Sequence, residues 1–176
     1  GSSLARFALT ANYQDQGGLI EGTDFNRLNI RANTSVSLSD NLSVNMDFNS
    51  YRRERKETMY SSNEYTNSIL QYMYSTPPNI IGKYPAKPER PDIVFYGNRP
   101  EMRNPLAMVE RGGQMEQLED NVSINIQPQW TILENLILRG QYSYHISSSV
   151  KKERRKSYNF FDYDSDALIY TWGALN

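Results

Sequence analysis

Apolar and polar residues alternate strictly from Leu28 to Phe48, on both sides of the short polar turn Ser39-Asp40-Asn41. Successive side chains of a β-strand point to opposite faces, so the pattern predicts a hairpin with one apolar and one polar face. If Leu38 lies opposite Leu42, the apolar rows of both strands share a face. The apolar positions are Leu28, Ile30, Ala32, Thr34, Val36, Leu38, Leu42, Val44, Met46 and Phe48.

The other face of the hairpin is rich in asparagine and charged residues, namely Arg27, Asn29, Arg31, Asn33, Asn45, Asp47 and Asn49. In a soluble sandwich the apolar row would face a second sheet. In an outer-membrane barrel it would face lipid, and the polar row would face a watery lumen. Soluble strands usually have about 5–6 residues, and a tilted strand that crosses a membrane needs roughly 9–11. The persistence of the alternation favours the barrel.

In the barrel interpretation, one face of the hairpin contacts lipid and the other faces the lumen. The residues expected to contact lipid are Leu28, Ile30, Val36, Val44, Met46 and Phe48. The polar residues of the opposite face are expected to line the lumen and to satisfy one another's hydrogen bonds.

Alternation recurs over about 5–14, 119–132 and 136–146, which predicts three further strands. If residue 132 pairs with residue 136, Pro128 faces Gly140. Because proline has no N–H to donate, a bulge or a pairing gap is expected there. The turn Leu133-Glu134-Asn135 resembles Ser39-Asp40-Asn41 in length. Short turns at one end and long connections at the other are typical of outer-membrane barrels, so 52–118 and 147–160 are expected to lie outside the cell.

The stretch 52–118 is predicted to be one long loop with a short helix. Its first residues, 52–57, form a mixed charge run that is typical of a solvated loop base. Residues at helical spacing between Ser61 and Tyr74, after a capping-like Ser62, predict the helix, which Pro77 ends. Aromatic residues in the rest of the loop indicate that it packs on something.

Composition narrows the function classes. The hydrophobic share of 38% and the mean hydropathy of -0.70 do not exclude a barrel, because only alternate residues of its strands need be apolar. No run approaches the roughly 18 apolar residues of a membrane helix. The absence of cysteine excludes thiolate chemistry and disulfides. A net charge of -1 gives no overall attraction to nucleic acid, so no nucleic-acid partner is expected.

Candidate chemistry is sparse, and we expect no enzyme, no cofactor and no metal. His145 is the only histidine, and the sequence places no acidic neighbour beside it. Asp162, Asp164 and Asp166 alternate as in a calcium loop. However, Ala167 occupies the place of the required glycine, and Gly173 that of the bidentate glutamate. The basic run 151–156 is expected to be a hydrated loop tip.

Several short motifs resemble one family when their order is taken together. They are Tyr13, Asp15-Gln16, Gly18-Leu19-Ile20, Gly22-Thr23-Asp24-Phe25 and Arg27, followed by Thr76-Pro77-Pro78 and Asn104-Pro105-Leu106-Ala107. The first group is similar to the early barrel strands of SusC/RagA-type TonB-dependent outer-membrane transporters, and the second to motifs in a long loop of those proteins. The resemblance spans roughly residues 4–146.

The resemblance implies an all-β fold, an antiparallel transmembrane barrel of about 22 strands around a plug. This chain would supply five or six of them. Residues 1–176 would be part of a single barrel domain of the outer membrane of a Gram-negative bacterium, with 52–118 as the long extracellular loop. The plug and the remaining strands match nothing in this sequence.

The same resemblance implies import of glycans or peptides together with a SusD-like surface lipoprotein, driven by a TonB complex that contacts the plug. Because sugars stack on aromatic faces and peptides fill apolar pockets, the candidate binding residues are Tyr72, Tyr84, Phe95 and Tyr96 of the loop. Two alternatives remain open: a SusC-like barrel that serves as a structural or assembly subunit, and a soluble carbohydrate-binding β-sandwich.

Overall fold

The structure is a computed structural model, and it describes residues 4–60, 68–97 and 104–173. The described chain is mostly antiparallel β-sheet. The strands are β1 (Ala5–Gly17), β2 (Asp24–Ser39), β3 (Leu42–Thr58), β4 (Gly113–Leu133), β5 (Leu136–Arg139), β6 (Tyr142–Arg155), β7 (Tyr158–Phe161) and β8 (Leu168–Trp172). The helices are α1 (Ile69–Ser75) and α2 (Pro105–Arg111).

Six of the strands form one sheet in the order β1-β2-β3-β4-β5, in which β6 also pairs with β4. The other two strands, β7 and β8, form a separate antiparallel pair. Asp40 and Asn41 make the tight turn between β2 and β3. The hydroxyl of Ser35 donates to Oδ1 of Asn45 at 2.7 Å across these strands. This contact agrees with the register that the alternation predicts, with Leu38 opposite Leu42.

The predicted irregularity at Pro128 is confirmed. The N–H of Gly140 donates to the carbonyl oxygen of Pro128 at 3.0 Å, and the strand is interrupted after Arg139, so that β5 and β6 replace the single predicted strand 136–146. The pairing of Thr131 with Ile137 also follows the predicted register, which then shifts before Leu133.

The predicted loop 52–118 is too wide, because β3 continues to Thr58 and β4 begins at Gly113. The charge run lies on β3, and its first two residues form ion pairs across the strands. Nε of Arg52 lies 2.7 Å from Asp120 Oδ1, and Arg53 pairs with Glu119. In the same way β6 continues to Arg155, well into the predicted outer loop 147–160.

The loop contains two short helices where the sequence predicted one. The hydroxyl of Ser68 accepts the N–H of Gln71 at 3.2 Å and so caps α1, whereas the predicted cap Ser62 lies outside the described residues. Asn104 caps α2, and Pro105 fits its first turn, where no N–H is needed. Within the described residues, neither helix has the length or apolar content needed to cross a membrane.

The chain divides into two compact units. That residues 1–176 are part of a single barrel domain stays a prediction. The sheet unit comprises Gly1–Gln16, Phe25–Arg55 and Gln117–Val150, and the loop unit comprises Gly17–Asp24, Lys56–Glu116 and Lys151–Asn176. All buried apolar side chains of the described residues belong to the loop unit: Met59, Tyr60, Ile69, Ile93, Phe95, Tyr96, Ala107, Met108, Met115, Tyr158 and Phe160. The described part of the sheet unit therefore has no apolar core.

Candidate functional site

The apolar row of the sheet unit is open to the surroundings. Of the residues predicted to contact lipid, Leu28, Ile30 and Met46 are 41%, 36% and 44% exposed, and Val36, Val44 and Phe48 are half-buried. The row extends onto neighbouring strands, where Phe7 and Leu138 are also exposed. No second layer of the described sheet unit covers these side chains.

Polar pairs end the apolar row on four strands. With the Asn26 amide oriented so that its nitrogen faces the carboxylate, Nδ2 donates to Asp15 Oδ1 at 2.6 Å, between β2 and β1. Arg52 and Asp120 form the corresponding pair between β3 and β4. Both pairs occupy positions of the apolar face, since their numbers continue the alternation. The row is therefore bounded at this end by charge.

The height of the apolar row follows from strand geometry. Leu42 lies next to the tight turn and Arg52 lies at the charged boundary. At about 3.3 Å per residue, the distance along the strand between them is roughly 33 Å. If the strands were tilted by about 40°, as in an outer-membrane barrel, this length would correspond to a height of roughly 25 Å, which is that of the apolar band of such barrels.

The opposite face carries the predicted network of polar side chains. Arg27 Nε donates to Asn29 Oδ1 at 2.9 Å, and its guanidinium carbon lies 5.1 Å from the ring centroid of Tyr51. With its amide suitably oriented, Asn33 Nδ2 donates to Asp47 Oδ1 at 3.0 Å. The hydrogen bonds of Arg27, Asn33 and Asn45 show that residues of this face bind one another. That any of the polar residues of this face line a lumen stays a prediction.

His145 lies on this polar face beside an amide. Its Nε2 is 3.2 Å from Nδ2 of Asn121 on the neighbouring strand. Asn121 is the one buried residue among the described residues of the sheet unit. The pair provides a polar contact across strands.

A second candidate site is a cavity of about 390 Å³ in the loop unit, the loop cavity. The last turn of α2, the start of β7 and the segment 90–96 enclose it. The N–H of Lys156 donates to the carbonyl oxygen of Gly112 at 3.2 Å, which brings the start of β7 to the end of α2. Its lining residues are Arg90, Asp92, Ile93, Val94, Tyr96, Glu110, Arg111, Lys156, Ser157, Tyr158, Asn159 and Phe161.

Glu110 is the centre of a hydrogen-bond network at this cavity. The Tyr96 hydroxyl donates to Glu110 Oε2 at 2.6 Å, and Lys83 Nζ donates to both carboxylate oxygens at 3.0 and 2.8 Å. Partial burial raises the pKa of Glu110, but the bonds from Lys83 and Tyr96 outweigh it and lower the pKa. Burial and the bond to Glu110 raise the pKa of Tyr96 to about 12, although the nearby Arg111 guanidinium opposes the shift.

The raised pKa of Tyr96 predicts a loss of stability at high pH. An unfolded tyrosine ionises near pH 10.0 and the folded Tyr96 near about 12. The stabilisation is thus fully present below pH 10 and is lost as the pH rises through the folded pKa. Urea unfolding of the loop unit between pH 9 and about pH 12 should show this decline. Tyr96→Phe should show a smaller decline, and an equal decline in both proteins would contradict the assignment.

The four aromatic residues proposed for binding are mostly packed within the loop unit. Phe95 and Tyr96 are fully buried, so their rings stabilise the unit and have no free face for a solute. Tyr72 packs on the cluster around Met108. Tyr84 stacks on Tyr163 with 4.5 Å between ring centroids. Only the hydroxyl end of Tyr96 belongs to a candidate site, at the loop cavity.

Sequence reasoning named Tyr96 but missed the other residues that line this cavity, above all Glu110, Arg111 and Lys156. The one local signal was Asn104-Pro105, which is typical of a helix start and could have predicted α2. Glu110 and Arg111, at the end of that helix, would then have been candidate site residues. Their proximity to Tyr96 and Lys156 depends on tertiary packing and could not be predicted.

The aspartates of the tail serve structural contacts. Asp162 Oδ1 accepts the N–H and the hydroxyl of Ser165, at 2.9 and 2.7 Å. Asp166 forms an ion pair with Lys87 at 2.7 Å. Across residues 4–60, 68–97 and 104–173, no cluster of three or more His, Cys, Asp or Glu side chains is placed to hold a metal.

Comparison with known proteins adds no family to these observations. No protein-family model matches the chain, and no curated protein matches it. The apolar row and the loop cavity are therefore the features from which a function can be inferred.

Proposed function

We propose that the chain is a wall segment of a SusC/RagA-type TonB-dependent transporter in the outer membrane of a Gram-negative bacterium. The observation that carries the proposal is the exposed apolar row of the sheet unit, with Leu28, Ile30 and Met46 between 36% and 44% exposed. A soluble sheet buries such a row under a second layer. Lipid chains would cover it here without any further protein.

The boundaries of the row support this placement. The charged pair Arg52–Asp120 and the polar pair Asp15–Asn26 end the row at a height that suits the hydrocarbon layer. Exposed aromatic residues lie near both ends, with Tyr13 63% exposed beside Asp15 and Trp130 47% exposed beside the tight turns. Tyrosine and tryptophan favour the interface between lipid and water.

The polar face and the loop unit fit the remaining parts of the proposal. Hydrogen-bonded amides and charges, such as Asn33–Asp47, would form the wall of a watery lumen. The loop unit has its own apolar core and would form a folded extracellular region. There it would meet a SusD-like lipoprotein and an incoming glycan or peptide, with TonB driving import through the plug of the complete barrel.

A matched pair of substitutions on β3 tests the membrane placement. Met46→Arg puts a charge in the middle of the apolar row, and Asn45→Arg puts the same charge on the polar face. In lipid, Met46→Arg should lower stability by about 2–4 kcal/mol, while Asn45→Arg should change it little. Recovery of the folded chain in phospholipid vesicles, measured by heat-modifiable gel migration and protease protection, would show the difference.

Results in the opposite direction would favour the soluble alternative. Met46 is 44% exposed, so an arginine there would be harmless to a sheet surrounded by water. A chain that is monodisperse in detergent-free buffer, and in which Met46→Arg has no effect, would be better described as a carbohydrate-binding β-sandwich. If the chain inserts but its deletion leaves glycan and peptide uptake intact, the structural-subunit alternative holds.

A further inference from the structure

The loop cavity has an excess of positive charge. Five ionisable charged side chains line it: Arg90, Asp92, Glu110, Arg111 and Lys156. Arg90 Nε lies 3.3 Å from Asp92 Oδ1, and Glu110 is neutralised by Lys83 at 2.8 Å. Within the described residues, Lys156 forms no ion pair. Arg111 lies close enough to the Tyr96 hydroxyl and the Glu110 carboxylate to lower the pKa of both, so it shares Glu110 with Lys83. The cavity therefore keeps more cations than carboxylates.

The backbone brings Arg111 and Lys156 close together at the cavity. Arg111 is the last residue of α2, and Gly112 follows it with its carbonyl oxygen 3.2 Å from the Lys156 nitrogen. A side chain at position 112 would collide with Met108 and Tyr60, so a glycine is required for this packing. Lys156 is therefore held beside the end of the helix that carries Arg111.

The rest of the lining suits a small organic molecule. Ser157 and Asn159 offer uncharged hydrogen-bonding groups, and the half-buried Phe161 offers aromatic surface. A volume of about 390 Å³ lies within the range of small-molecule sites. The site has room for one ring or a dipeptide as well as for the anion.

We propose that the loop cavity binds a small organic carboxylate between Arg111 and Lys156. The planar fork of arginine matches the two oxygens of a carboxylate, and the lysine adds a second donor. The lining residues carry three cations and two carboxylates, a net charge of +1, which suits a singly charged carboxylate better than a doubly charged anion such as phosphate. A uronic acid and the terminal carboxylate of a peptide share this chemistry. The inference concerns the loop unit alone and does not depend on the membrane placement of the sheet unit.

Tryptophan fluorescence offers a local measurement. Trp172 lies 5.2 Å, ring centroid to ring centroid, from Tyr158, which lines the cavity. In the full chain with Trp130→Phe, Trp172 is the only remaining tryptophan. Two acids are the probes, glucuronate and N-acetyl-glycylglycine. Their neutral counterparts, glucose and the amide of N-acetyl-glycylglycine, are the controls. Equilibrium dialysis with labelled probes measures binding independently. We expect saturable binding of at least one acid and none of its neutral counterpart.

Charge-removing variants locate the site. Arg111→Gln and Lys156→Gln should each weaken binding of the acid about tenfold, as expected for loss of one charged hydrogen bond. Lys152→Gln removes the same charge from an exposed position outside the cavity lining and should leave affinity within about twofold. All three side chains are exposed, so the variants should fold.

The outcomes separate the two ligand sources and can overturn the proposal. Binding of glucuronate alone identifies an acidic sugar, and binding of the peptide acid alone identifies a peptide terminus. Either result supports the carboxylate site. The proposal fails if neither acid binds by either method, or if the neutral probes bind equally well. It also fails if inorganic phosphate binds more tightly, or if Lys152→Gln weakens binding as much as Lys156→Gln.

Discussion

Phe160→Ala is expected to lower the free energy of unfolding of the loop unit by about 3–5 kcal/mol. The side chain is 0% exposed. Its ring stacks on Tyr170 at 4.7 Å between centroids, and it meets Tyr96 edge to face at 6.2 Å. Truncation removes these contacts and leaves a cavity in a small core, because the rings around it belong to different segments and cannot all move in.

Urea unfolding followed by Trp172 emission, in the Trp130→Phe background, measures this effect. Trp172 packs on both clusters of the loop-unit core and so reports its integrity. The control is Asn159→Ala, the exposed neighbour of Phe160 on β7, which loses one hydrogen bond from Thr171. Its effect should stay within about 1 kcal/mol. Equal effects of the two substitutions would show that Phe160 is not part of a packed core.

Gly113→Ala should destabilise the loop unit by about 3 kcal/mol or more. The φ angle of Gly113 is 102°, in the region that side chains disfavour. An added Cβ would also overlap the carbonyl oxygen of Arg154, which belongs to the backbone and cannot rotate away. Relief would require β6 and the start of β4 to separate at this point.

Gly82→Ala is the matched control for this prediction. A Cβ at Gly82 would lie 3.6 Å from Leu106 Cδ2, an ordinary contact, and its φ angle is not in the positive region. We expect a change of less than about 1 kcal/mol, with a slight gain in stability from the less flexible unfolded chain. The same urea experiment compares the two variants. Similar midpoints would mean that the chain at Gly113 can relax around a side chain.

The sheet could be predicted from sequence wherever alternation was strict. In β2 and β3 the face of each side chain is decided by its own position, so strand type and register followed from local pattern. The C-terminal part of β3 was not predicted to be a strand, because residues 52–57 are charged on both faces and show no alternation. Its strand conformation depends on partners such as Asp120, far away in sequence.

The loop unit was less predictable for a similar reason. Aromatic content alone does not distinguish a ligand-binding ring from a core ring, and Phe95 belongs to the second class. The hydrogen bonds among Lys83, Tyr96 and Glu110 link segments that no periodicity relates. The loop cavity was therefore not predictable from the linear pattern.

The facing pair Pro128 and Gly140 also determines how β4 can align with β5 and β6. A Cβ on residue 140 would lie 3.4 Å from Pro128 Cγ, a tight distance. If the strands slid by two residues, Leu138 or Tyr142 would bring a bulky side chain against the pyrrolidine ring. A shifted register is therefore sterically disfavoured at this one position. The contact favours the correct alignment of the strands while the sheet assembles.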